Sequence, residues 1–456
     1  MYVVYIDIDS LRPDHMSCYG YGRPTTPHID HLAEQGTRFT HCFTSDSPCM
    51  PSRAALVSGT FGITNGVVTH GERGLLLHGQ QETLPNVLRQ HSIPAVAISS
   101  FGRHPSPWFY VGWHELIDPS GRANLHFLYG SGFQQVTGEE VITLAIEWLN
   151  AHRHLKNFYL YVQLWDPHTL YEAPLSFVEA VRNNHYPKHP TPEEIETHQQ
   201  NRVWHSAPAM GITGYDEWRK LIDEYDGEIR YADYQVGRLL DAFKALGLYD
   251  ETFFLLAADH GEEMGEHGFY AEHGNIYNGT QHIPLIVRHP QAKHQGVVSH
   301  KLVYQLDIAA TVCDAFGITP PPHWDSHSLL DPQHHRPYLV CGHGLYTAQR
   351  GIVTRDWKFI RTFEAGLWNI PAVQLFRMED PWEQTDLAST FPEQVGHFDT
   401  LLRQWENEHR VYPDPLMLNA AQGPAGLIGA RKWTDQFQKD GKTMPFLLGQ
   451  RKPEPQ

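Results

Sequence analysis

Along the first two thirds of the chain, short continuous apolar runs alternate with stretches whose apolar residues fall at helical spacing. Tyr2–Ile8, Ala95–Ser99, Phe158–Leu164 and residues 252–258 and 284–288 have strand length and are rich in β-branched and aromatic side chains. Between them, Thr26 reads as the N-cap and Pro27 as the first residue of a helix closed by Gly36. Ile229, Val236, Leu239, Leu240, Phe243 and Leu246 form one apolar stripe that ends at Gly247. Strands that alternate with amphipathic helices as far as about Phe316 predict an α/β fold, with a mainly parallel sheet sandwiched by helices.

The pattern changes in three places. Residues 170–218 are polar and contain prolines and histidines; they are too long for an ordinary connection and are expected to form an insertion over the active site. Residues 320–337, with three consecutive prolines and a His-His pair, read as a linker. Strands at 357–363 and 374–377 and a helix at 393–410 then form a smaller C-terminal antiparallel unit. Residues 411–456 carry weak signals and read as an extended tail away from the chemistry. The expected division is a catalytic domain at 1–335, a small subdomain at 336–410 and a tail at 411–456.

Composition narrows the class. With 41% hydrophobic and 19% charged residues in 456, the chain is globular, and no apolar run approaches the roughly 18 residues of a membrane span. A net charge of −17 without a Lys/Arg-rich run argues against a nucleic-acid groove or an anionic membrane surface. Five scattered cysteines without CxxC spacing argue against a disulfide framework or zinc ribbon. The chain enters a strand pattern at once, without a basic segment followed by a long apolar one, so a cytoplasmic location is expected.

Ligands of open parallel sheets bind beyond the carboxyl ends of the strands. Those positions are polar here: Asp7-Ile8-Asp9-Ser10-Leu11-Arg12, Arg103-His104, Asp166-Pro167-His168 and Asp259-His260-Gly261-Glu262. Each alone could be a turn or helix cap; four together mark a site. Cys49-Met50-Pro51-Ser52-Arg53 adds a fifth element, with Pro51 expected as the first residue of a helix that begins just after the cysteine. A thiol at a helix N-terminus is acidified or can hold an oxyanion; the alternative is a small buried residue.

Cys49-Met50-Pro51-Ser52-Arg53 resembles the C-x-P-S-R signature of type I sulfatases, of the alkaline phosphatase superfamily, in which a maturation enzyme oxidises the cysteine to formylglycine. The similarity extends through Asp9-Ser10-Leu11-Arg12-Pro13-Asp14-His15, Thr26-Pro27-His28-Ile29-Asp30, Asp259-His260-Gly261-Glu262, Glu266-His267-Gly268 and Asp380-Pro381-Trp382-Glu383, roughly residues 2–410. It implies an alkaline-phosphatase-like fold and a sulfuric ester hydrolase. One hydroxyl of hydrated formylglycine would attack sulfur and the other would then expel sulfate. The resemblance also implies one divalent cation held by Asp9, Asp259, His260 and the modified Cys49, with Arg53 polarising the nucleophile. Asp7, on the strand face of Asp9, is either a further ligand or a buried structural carboxylate. Oxygen-rich ligation suits Ca²⁺, while the imidazole leaves Mn²⁺ or Zn²⁺ open.

The chain departs from the family pattern in its charges. A pair of adjacent acids is replaced by Asp9-Ser10, and a Gly-Lys-Trp-His segment by Gly102-Arg103-His104, which leaves Arg103 and His104 for substrate binding. A later sulfate-binding lysine is replaced by His273. Positive charge at the sulfate thus shifts to histidine, and His168, His273 and His104 could each bind sulfate or protonate the leaving oxygen. The alkaline limb of activity is then expected within a unit or two of the ordinary imidazole value of about 6.5. His70, His267 and Tyr171 are weaker candidates. A sulfated carbohydrate is the expected substrate; the alternatives are a phosphonate monoester hydrolase or phosphodiesterase of the same superfamily and a catalytically silent binding protein.

Overall fold

A computed structural model describes residues 1–70, 82–99, 107–119, 136–290, 295–409, 411–443 and 451–455. Its strands in chain order are β1 (Tyr2–Ile8), β2 (Thr37–Phe43), β3 (Asp46–Ser47), β4 (Ala95–Ser99), β5 (Glu115–Ile117), β6 (Phe158–Leu164), β7 (Thr252–Ala257), β8 (Glu263–Met264), β9 (Tyr270–Glu272), β10 (His282–Arg288), β11 (Val297–Tyr304), β12 (Leu339–His343), β13 (Ala348–Val353), β14 (Trp357–Glu364) and β15 (Val373–Arg377). The large sheet has the order β11-β2-β10-β7-β1-β6-β4-β5, and only β10 runs against the rest. β1, β6 and β7 are buried along their whole length, which is why they read as unbroken apolar runs. β2 and β11 escape that signal because they are only half-buried and carry polar residues.

The helix Pro27–Glu34 starts after Thr26 as its sequence signals require. The apolar stripe ending at Gly247 belongs to a 31-residue helix, Tyr215–Ala245, which starts well before the stripe; Gly247 follows with φ 70°. Residues 215–218 of the expected insertion are therefore its first turn. Buried Asp223, Asp226, Glu228 and Asp233 obscure the apolar pattern of this helix, and each is paired with a cation or with backbone N–H groups.

The small sheet, β15-β14-β13-β12-β3, is antiparallel except where β3 pairs parallel with β12. That pairing joins it to the body immediately ahead of Cys49. The helix Pro392–His409 covers it, and Phe359, Phe398 and Trp405 share one core with Phe43, Ala55, Phe61 and Tyr304 of the larger unit. Residues 320–337 are more firmly held than a linker: Arg336 makes a bidentate pair with buried Asp307 at 2.6 and 2.7 Å, and Gly59 O accepts from the N–H groups of Asp325 and Ser326. Nor is the chain after 411 extended, since it forms the helices Pro415–Ala421 and Leu427–Asp440. Their buried apolar positions are few (Leu416; Leu427, Ala430, Phe437) and the helices are set apart by Gly423-Pro424, which hid them in the sequence. No helix among the described residues is long and apolar enough to cross a membrane.

Candidate active site

β7, β1 and β6 are parallel neighbours, so their carboxyl ends open on one edge. Asp7 ends the apolar run of β1, and Asp9 lies just beyond it. Ser10, at φ 58°, turns the chain so that its N–H donates to Asp259 Oδ1 and its hydroxyl to Asp9 Oδ1. After β7 come Asp259 and His260, then Gly261, where a Cβ would lie 2.1 Å from Gly279 O; only glycine fits this approach.

The short strand β3 delivers Cys49 into the helix Cys49–Ser58, every residue of which is buried. The helix begins at the cysteine itself, so Pro51 is its third residue rather than its first; the first four N–H groups of a helix have no internal partner, and proline there forfeits nothing. The N–H of Met50 instead donates to His70 Nε2 at 3.1 Å. The helix places Arg53 one turn after Cys49, beneath the thiol. Its guanidinium is fully buried among three carboxylates: Asp7 at 2.9 Å, Asp9 at 3.1 Å and Asp259 at 2.8 Å. Ser52 ties the same turn to β7, donating to Asp259 O at 2.7 Å.

Donor atoms of Asp9, Cys49, Asp259 and His260 lie within 4.8 Å of one another, all buried. His260 Nδ1 lies 2.8 Å from Gly261 O, which can only accept, so Nδ1 carries the proton and the Nε2 lone pair faces Cys49 Sγ at 3.0 Å. Burial, with His273 nearby, holds His260 well below the ordinary imidazole range. Asp7 stands behind this group: Arg53 and the Tyr161 hydroxyl, at 2.6 Å, both donate to its Oδ2. Three fully buried carboxyl groups face one guanidinium, and burial pushes the pKa of Asp7 and Asp259 up; a divalent cation would offset that burial and hold the carboxylates ionised, so the residues present fit one. Contrary to the helix-terminus expectation, burial and the charges of Asp9 and Asp259 push the Cys49 thiol up, away from thiolate.

A second group of donors, Cys49, His168 and His273, converges from the other side. His168 follows β6 and donates through Nδ1 to Thr169 O. His273, after β9, has Nδ1 2.9 Å from Glu262 Oε1, and its main-chain N–H donates to Glu272 Oε1. Burial alone would lower the His273 pKa, but Glu262 and Glu272 raise it to about 10. His273 is therefore an imidazolium at neutral pH, and the expected limb near 6.5 does not apply to it. Glu272 is also braced by the insertion, through Trp204 Nε1 at 3.2 Å and His205 Nε2 at 3.1 Å.

Arg103 and His104 lie outside the described residues. His267 is half-buried and stacked on Tyr277 at 3.8 Å, and Tyr171 packs against Tyr225; neither belongs to the two donor groups. Sequence reasoning missed Glu262 as the partner of His273, although it closes the Asp259-His260-Gly261-Glu262 motif. Tyr161 carried no signal beyond lying in a strand, and Glu272 carried none beyond standing next to His273.

The sulfatase family model matches residues 1–318, and the model of the N-sulphoglucosamine sulphohydrolase C-terminal region matches residues 265–394. The chain is 24% identical to an N-acetylglucosamine-6-O-sulfatase of Bacteroides thetaiotaomicron, covering 90% of this chain and 87% of that one. Among solved structures it resembles a phosphonate monoester hydrolase of Agrobacterium radiobacter (TM-score 0.70, 18% identity, 90% and 96% coverage). It is likewise similar to a 2-O GAG sulfatase (TM-score 0.69, 20% identity, 90% and 92% coverage). With most of its length matched and a C-x-P-S-R cysteine seated among the strand-end carboxylates, the chain belongs to the sulfatase family, the sulfuric ester hydrolases.

Proposed function

We propose that the chain removes sulfate from a sulfated carbohydrate, using formylglycine made from Cys49 by a maturation enzyme. The observation that carries this reading is the buried convergence of Cys49 with Asp9, Asp259 and His260 on one side and with His168 and His273 on the other. Asp9, Asp259, His260 and residue 49 would hold one divalent cation, Ca²⁺ on the strength of the carboxylates, with Mn²⁺ or Zn²⁺ as imidazole-tolerant substitutes. When bound, the cation supplies Lewis-acid polarisation of the transferred group, and formylglycine supplies the attacking hydroxyl.

The chain's own residues do the rest. Arg53, fixed by three carboxylates, keeps its positive charge oriented beneath residue 49 without reorganisation. His273, its pKa raised by Glu262 and Glu272, offers a cationic N–H to a sulfate oxygen at neutral pH, the task a lysine would perform. His168, its ring centroid 5.6 Å from that of His273, bonds Thr169 O through Nδ1 and so leaves Nε2 to bind sulfate or to pass a proton to the leaving oxygen. The glucosamine-6-O-sulfatase relative supports an amino-sugar sulfate as substrate.

The test is a screen of matured enzyme against sulfated mono- and disaccharides, including 6-O- and N-sulfated glucosamine, run beside a phosphonate monoester and a phosphodiester. Faster turnover of a sulfated sugar is expected. A higher kcat/KM on the phosphorus esters would favour the second reading, a phosphonate monoester hydrolase, which the single acid of Asp9-Ser10 and the Agrobacterium structure support.

A further inference from the structure

The C-terminal segment, which sequence reasoning set apart from the chemistry, returns to the loop that carries His168. Lys452 is buried, and its ammonium donates to Asp166 Oδ1 and, at 2.6 Å, to Glu228 Oε2, both carboxylates fully buried. Its main-chain N–H donates to Glu172 O at 2.7 Å. Glu228 in turn accepts from the N–H of Glu172, and Asp166 Oδ2 accepts from the N–H of Gly138 at 2.7 Å. The loop from Asp166 to Glu172 is thus fastened at both ends to one lysine and to the 31-residue helix, with His168 between the fastenings. Arg451 adds a bidentate pair to Glu224 at 2.6 and 2.9 Å and a bond to Ala173 O, and Glu454 accepts from the N–H of Ser176 at 3.2 Å.

We infer that Lys452 is a positioning residue for the reaction: it sets the His168 loop by neutralising and joining Asp166 and Glu228. The chemistry of the pair requires a cation at this point. Without one, two carboxylates would share a buried pocket, relieved either by a proton taken up by the pair or by movement of the loop that carries Asp166, and in both cases the cation that joins the loop to Glu228 is gone. Burial already pushes the Glu228 carboxyl up to about 7, with Lys452 pulling against it and Asp166 adding to it. A displacement of His168 by about 1 Å is enough to weaken its contact with a bound oxyanion by tenfold or more.

This inference rests on the reading of His168 as a contact to the transferred group. It is tested in the full-length matured enzyme with Lys452→Met and with the charge-free triple variant Lys452→Met/Asp166→Asn/Glu228→Gln, which leaves no unpaired buried carboxylate and decides the matter if the single variant does not fold. In folded enzyme with formylglycine and metal content equal to the parent, kcat/KM should fall about tenfold or more, and the inhibition constant for inorganic sulfate should rise by a similar factor. Lys452→Arg should recover most of both. Values within twofold of the parent in either folded variant would overturn the inference, because a lysine that only stabilises the fold leaves the folded enzyme's affinity for sulfate unchanged. If the parent turns over a phosphonate ester instead of a sulfate ester, the function proposal fails, and the same comparison is read on that ester.

Discussion

The carboxylate floor of the site and its histidine rim treat the same side chain in opposite ways. His260 and His273 have ring centroids 4.3 Å apart, yet one is held neutral and the other cationic. On the floor, His260 spends its one proton on Gly261 O and points a lone pair toward Cys49. On the rim, His273 is bracketed by Glu262 and Glu272, which stabilise a second proton. The difference teaches that second partners set whether an imidazole serves as a ligand or as a cation; residue type does not. The floor gathers negative charge to fit a metal ion, and the rim gathers positive charge to fit an oxyanion.

The comparison breaks most sharply at residue 49, where the two groups meet. Cys49→Ala should lower turnover by about 10⁴-fold or more while the melting temperature moves by only about 2 °C, read by kinetics and calorimetry on one preparation. Next comes the floor. Asp259→Asn or His260→Ala should deplete the bound metal, measured by elemental analysis, and lower kcat/KM by about 10²- to 10³-fold. Undiminished metal in both variants would place the ion elsewhere.

The rim should respond less in rate and more in pH. His273→Gln should cost about 10²-fold in kcat/KM and leave the metal in place. Because the His273 pKa is raised to about 10, its cation persists through neutral pH and is lost only as pH rises through that value. The alkaline limb it controls therefore belongs near 10, and His273→Lys should leave it there. Glu262→Gln removes the strongest charge that raises this pKa and should bring the limb down by about one unit or more. A limb that stays put would pass the titration to another group. The smallest effect is expected behind the floor: Asp7→Asn should change kcat/KM by less than about tenfold and leave metal stoichiometry unchanged, since Asp7 serves Arg53 and Tyr161. Loss of metal in that variant would restore Asp7 as a ligand.

Much of the frame was legible in the chain. Buried parallel strands must be largely apolar, so β1, β4, β6 and β7 declared themselves; the polar residues that follow them must then share one edge, which puts Asp9, His168, Asp259 and His260 together. The half-buried strands β2 and β11 were silent, because a strand facing solvent on one side tolerates the same residues as a loop.

What local pattern determined is therefore the sheet, its working edge and the cysteine seated there. Tertiary structure alone decided the charges. Whether Asp7 binds a metal or an arginine, whether His273 keeps its second proton and whether Lys452 reaches Asp166 from 286 residues away all depend on partners brought together by packing. Periodicity encodes which face of an element is buried, but a buried charge is governed by the few groups within about 4 Å of it, and those come from strands, loops and termini far apart in the chain.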